Sequence, residues 1–144
     1  MKRTLMISAC VALLVLAAAP ALAGDDDHIV RVTEASNGKT KVLAPGTILE
    51  VVLEANPSAG LKWHLTSKND PVLREEDDPE FSRGETKNPA MNGAQRFRFK
   101  ADEIGSTLLT LVFRSKVESD DDTPQEFNLS IDVRYATHDG AVPN

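Results

Sequence analysis

Residues 49–65 read Leu-Glu-Val-Val-Leu-Glu-Ala-Asn-Pro-Ser-Ala-Gly-Leu-Lys-Trp-His-Leu. Leu49, Val51 and Leu53 recur at every second position before the centre of this stretch, and Leu61, Trp63 and Leu65 do so after it. A period of two puts each set on one face of a strand. Between the two strands lies a rigid turn of small residues. Pro57 fixes its own φ and holds Asn56 in extended geometry. Gly60 can take positive φ at no steric cost. Ser58 and Ala59 form a tip with little side-chain entropy to lose. An ordinary hairpin needs none of this stiffness. A loop that enters a narrow cleft does, because a pre-shaped binder avoids the ordering cost of association.

The same periodicity extends outward. Val30 and Val32 alternate, as do Phe97 and Phe99, interleaved with Arg96, Arg98 and Lys100. Leu109, Leu111 and Phe113 form a further stripe, and Phe127, Leu129, Ile131 and Val133 another. Asn37-Gly38, Pro45-Gly46, Asn92-Gly93 and Gly105 separate these runs as turn signals. Nothing after residue 23 keeps a helical apolar pattern for three turns. Residues 68–94, with Pro71, Pro79, Pro89 and the charges from Arg74 to Glu80, read as one or two short edge strands and a long loop. The expectation is an all-β, immunoglobulin-like antiparallel sandwich of about seven or eight strands.

At the start of the chain, Lys2 and Arg3 precede an apolar run to Ala19, followed by Pro20 and Ala21-Leu22-Ala23. That order is a secretory signal cleaved after Ala23 and predicts a periplasmic or secreted protein. The run is short for a membrane anchor. Ile7-Ser8-Ala9-Cys10 also reads as a lipoprotein box, but lipidation at Cys10 would leave residues 11–23 as an odd apolar arm. The domain division is thus 1–23, removed, and 24–144, one domain with disordered ends at 24–27 and 138–144. Cys10 is the single cysteine, so the exported domain has neither disulfide nor thiol nucleophile. About 120 residues suffice for one core that buries roughly two-thirds of the unfolded surface. The formal charge is −6, and without Lys2 and Arg3 it is −8. Such a surface argues against nucleic acid or an anionic membrane as partner.

Enzymatic chemistry finds little support. His28, His64 and His138 have no nucleophile or carboxylate at useful spacing, and His64 falls on the solvated face of its strand. Nucleophile-elbow, phosphate-loop and His-x-x-x-His patterns are absent after residue 23. Asp25-Asp26-Asp27 and Asp120-Asp121-Asp122 are clustered carboxylates, but successive side chains diverge, and they read as solvated acidic runs rather than a cation site. Asn128-Leu129-Ser130 matches a glycosylation sequon inside a strand and is set aside. No cofactor and no metal are expected. What remains is binding through loops held at one end of a sandwich: Asn56–Gly60, Pro89–Gly93 and Arg114–Pro124.

From about Thr47 to Arg134 the chain resembles the chagasin-like inhibitors of papain-family cysteine peptidases. The resemblance rests on Asn56, Pro57, Gly60 and the following Trp63, and on the glycine turn leading into Phe97 and Phe99. Gly105, the Leu108–Phe113 strand ending in Arg114, and the closing Phe127–Val133 strand complete it. It implies a sandwich of about eight strands whose three loops wedge into a peptidase cleft and occlude the catalytic cysteine. In the first loop Asn56, Pro57 and Gly60 match Asn-Pro-Thr-Thr-Gly, with Ser58 and Ala59 at the threonine positions. In the second, Ala90-Met91-Asn92-Gly93 stands for Gly-x-Gly-Gly, and only Gly93 matches. In the third, Arg114-Ser115-Lys116 stands for Arg-Pro-Trp or Arg-Pro-Phe, and only Arg114 matches.

The resemblance thus implies a non-enzymatic inhibitor, monomeric when free, whose partner is a papain-family cysteine peptidase. The contact set it implies is Asn56, Pro57, Ser58, Ala59, Gly60, Met91, Asn92, Gly93, Arg114, Ser115 and Lys116. An aromatic anchor is often worth ~2 kcal/mol, so its loss from the third loop implies ~30-fold weaker or altered inhibition of papain. The alternative is a periplasmic binding or structural module on the same sandwich, with these loops decayed or repurposed.

Overall fold

The computed structural model describes residues 28–66, 69–115 and 124–136. Nine strands lie among them: β1 Ile29–Val32, β2 Thr40–Leu43, β3 Ile48–Ala55, β4 Lys62–Leu65, β5 Leu73–Glu75, β6 Glu80–Arg83, β7 Gly93–Ala101, β8 Gly105–Arg114 and β9 Glu126–Val133. They form two sheets. One runs β1-β3-β7-β5, with β6 also on β7, and the other runs β2-β9-β8-β4.

The inward side chains of both sheets form one core. Leu49, Val51, Leu53, Phe97 and Phe99 of the first sheet meet Trp63, Leu111, Phe127, Leu129 and Ile131 of the second, and all of them are buried. Every patterned run read from the sequence forms a strand whose apolar set faces this core, except that Leu61 precedes β4 and belongs to the turn before it. The 68–94 segment supplies β5 and β6, which occupy successive stretches of the same edge of β7.

The ninth strand, beyond the seven or eight expected, is β2. It buries Leu43 but leaves Val42 52% exposed, so its apolar pattern is too thin to announce a strand. The pairing is also not wholly antiparallel. β1 runs parallel to β3 in one sheet, and β2 runs parallel to β9 in the other. A 3-10 turn at Glu34–Ser36 carries the chain across between them. Period-two alternation reports which face is buried and says nothing of a partner's direction, so this sheet-switching edge was not readable from it.

Gly93 corrects a second expectation. It is not the corner of a turn but the first residue of β7, opposite Ala55 on one side and Arg83 on the other. A Cβ there would lie 2.2 Å from the Ser82 carbonyl oxygen. Glycine is required because β6 approaches so closely.

Strand directions place the loops. β3 runs toward the end of the sandwich where β7 begins, since Ala55 pairs Gly93. β8 finishes at the same end, because Arg114 pairs Lys62 directly after the β3–β4 turn. β1, being parallel to β3, begins at the opposite end, and β9 finishes there, with Val133 opposite Gly105.

Candidate functional site

Loop one, residues 56–61, is closed by two backbone bonds between Asn56 and Leu61, of 2.8 and 3.0 Å. Inside it, Pro57–Ala59 make a single 3-10 turn. The Asn56 side-chain oxygen accepts from the Ser58 hydroxyl at 2.8 Å and from the Ala59 amide at 3.4 Å. This is an N-cap, and proline at the next position has no amide to leave unsatisfied. Gly60 ends the turn at φ 80°, ψ 10°, donating to the Pro57 carbonyl. Ser58 and Ala59 are exposed at the tip, as the sequence reading expects.

Loop two, residues 84–92, is bound to loop one at two points and to the end of β3 at a third. The Asn56 amide donates to the Ala90 carbonyl at 3.0 Å, the Asn92 backbone amide donates to the Ala55 carbonyl at 3.1 Å, and the Asn92 side chain reaches Ser58 Oγ at 3.4 Å. The Asn92 side-chain oxygen is buried without a partner among the described residues. Met91 and Asn92 are half-buried. Glu54, one residue from the end of β3, accepts from the backbone amides of Lys87 and Asn88 and so fastens the other half of loop two.

Loop three begins at Arg114 and Ser115. Because Lys62 pairs Arg114, it leaves the sheet beside the exit of loop one, and Pro57, Gly60, Lys62, His64, Arg114 and Ser115 line a shallow groove between the two. Lys116, the rest of this loop to 123 and its acidic run lie outside the described residues, as do Asp25–Asp27, residues 1–23 and His138–Asn144. The structure thus brings together ten of the eleven predicted contact residues around one end, with loop one in the middle.

Two positioning residues escaped the sequence reading. Gln95, buried on β7, accepts from the Trp63 backbone amide at 2.9 Å and donates to the Trp63 carbonyl at 3.0 Å. Its side-chain amide acts as a strand partner for β4 and joins the two sheets beneath loop one. The Trp63 indole meanwhile donates to the Glu54 carbonyl at 3.0 Å and leans on Phe113, ring centres 5.1 Å apart. Glu54 is the second such residue. Its period-two place marks it only as an outward-facing acid, and no local signal links it to a loop 33 and 34 residues away. His64 is exposed on the outer face, as expected. Partial burial, then the charges of Lys62 and Arg114, holds its imidazole below the ordinary histidine range.

A family model described as chagasin family peptidase inhibitor I42 matches residues 42–131. Among solved structures, the fold is similar to amebosin, with TM-score 0.57 at 22% identity over 74% of this chain and 98% of that one. It is also similar to the cysteine protease inhibitor EhICP2 of Entamoeba histolytica, with TM-score 0.61 at 16% identity over 74% and 96%. A weaker likeness, TM-score 0.44 at 18% identity over 75% and 92%, is to PbICP-C in complex with falcipain-2. No curated protein matches at a significant level.

Proposed function

The chain belongs to the chagasin family of peptidase inhibitors, and on that footing we propose that it blocks papain-like cysteine peptidases by filling their active-site cleft with loop one, flanked by loops two and three. The observation that carries this reading is the state of loop one: capped by Asn56, closed at Leu61 and tied to loop two before any partner arrives. Ordering a backbone costs roughly 1–2 kcal/mol per residue, so five residues fixed in advance spare association about 5 kcal/mol or more. The action is binding, with no covalent step and no cofactor. Ser58 and Ala59 lead, while Met91, Asn92, Arg114, Ser115 and Lys116 make the flanking contacts; Gly93, buried between β3 and β6, supports loop two from beneath instead of touching the partner.

The third loop lacks the stiffening proline and the aromatic anchor, which favours weaker inhibition of papain or a shifted target. We further propose export, with cleavage after Ala23. Lys2-Arg3, the apolar run and Ala21-Leu22-Ala23 support it, and the intact mass of the protein from a periplasmic fraction tests it.

The functional test titrates purified residues 24–144 against papain and a cathepsin-like peptidase with a fluorogenic substrate. Reversible inhibition that weakens when Pro57 and Gly60 are replaced is the expected result. No inhibition at tens of micromolar (a ceiling of about −6 kcal/mol in binding energy) overturns it and leaves a sandwich with repurposed loops.

A further inference from the structure

The groove between loops one and three has a charge arrangement that folding alone does not favour. Lys62 and Arg114 face each other directly across the β4–β8 pair, and like charges in that position destabilise a sheet. Among the described residues Arg31, Arg74, Arg96, Arg98 and Arg134 each have a carboxylate partner, while Lys39, Lys41, Arg83, Lys87 and Lys100 have none but do not face a second unpaired cation across a groove. Lys62 and Arg114 form no ion pair among the described residues, in a chain with a surplus of six negative charges. Among the described residues no acidic side chain lines the groove. His64, on the same strand as Lys62, registers the positive potential, because both cations add to burial in disfavouring its protonation.

We propose that this groove receives a carboxylate from the bound peptidase, at the rim of the cleft that loop one enters. The inference rests on the inhibitor reading above, which makes the partner a protein and its anions aspartate and glutamate side chains. Three features fit the role. The exposed guanidinium of Arg114 offers the fork geometry that carboxylates accept, and Lys62 adds a point charge beside it. Gly60 projects no side chain into the opening. The capped turn fixes the distance from the groove to the loop tip, so seating the tip seats the groove. Lys62 therefore joins the contact surface, on a strand rather than on a loop.

The test measures association and dissociation rates of the inhibitor with papain and a cathepsin-like peptidase, from about 0.02 to 0.5 M salt, a range over which the Debye length falls several-fold. Wild-type association should slow about tenfold across it. Lys62→Glu should associate about tenfold more slowly at low salt and show a flattened salt dependence. Lys100→Glu, at the opposite end of β7, should match the wild type. If the wild type inhibits both peptidases and Lys62→Glu behaves as Lys100→Glu does, the groove inference is overturned and the inhibitor reading stands. If the wild type inhibits neither, both fall together.

Discussion

Single atoms decide whether loop one keeps its shape. At Gly60 the backbone sits at φ 80°, where a Cβ costs roughly 1–2 kcal/mol. Gly60→Ala should lower stability by that amount and weaken inhibition at least as much as an equal loss elsewhere, since the strain falls on the loop proposed to make the contact. Denaturant unfolding and the inhibition constant, measured on one preparation, check both halves. Gln95 acts from below. Gln95→Leu leaves the Trp63 amide and carbonyl without their buried partner, a loss of about 2–3 kcal/mol. The expected signature is faster dissociation from the peptidase at nearly unchanged association, because the exposed tip is untouched. A variant that unfolds less easily than the wild type would contradict the clasp.

Elements divide the labour between scaffold and recognition. Loop two holds its place through the Glu54 carboxylate as much as through its own turn, so Glu54→Ala should free it while leaving the core intact. Each lost bond to a charged acceptor is worth about 2 kcal/mol, which corresponds to roughly 30-fold faster hydrogen exchange at Lys87 and Asn88 if local opening governs it. Core amides such as Leu129 should exchange as before. Unchanged protection at Lys87 would show that loop two stands without Glu54. The same division explains what could be read from the chain. Six core strands were legible because one buried face imposes a period of two. Loop one was legible because proline, glycine and a capping asparagine act within five residues. β2 was not, since it buries one leucine, and neither were Gln95 and Glu54, whose partners lie more than thirty residues away. The clustering of the three loops followed from the sandwich, but the bonds that knit loops one and two join residues far apart in the chain and exist only in the folded molecule.

At the scale of the whole molecule, one carboxylate on the outer face of the first sheet ties stability to pH. Arg31, Glu50 and Arg98 stand in register across β1, β3 and β7. The Glu50 side chain is 1% exposed, with Arg31 at 2.7 Å, Arg98 at 3.2 Å and Arg96 close by. Burial alone would raise its pKa, but the hydrogen bonds from Arg31 and Arg98 and the charges of Arg31 and Arg96 outweigh burial and lower it. A depressed folded value means the unfolded state binds the proton more readily. Glu50 therefore contributes its full stabilisation above the ordinary glutamate pKa, about 4.3, and loses it as pH falls through the lower folded value. Thermal melts should show this acid-side loss in the wild type. Glu50→Gln should be about 2 kcal/mol less stable at neutral pH, with a flatter acid limb. Exposure of the arginines to solvent and salt makes that an upper figure. An acid limb of unchanged slope in Glu50→Gln would assign the effect to other carboxylates. The strand directions also settle how the molecule can be handled. Since β1 starts and β9 stops at the pole away from the loops, a fluorophore, bead or fusion partner joined before residue 28 or after residue 136 departs from the far side. Surface immobilisation at either of these points should therefore leave the pole of the proposed contact loops open, and kinetics recorded on a sensor chip should agree with those recorded in free solution.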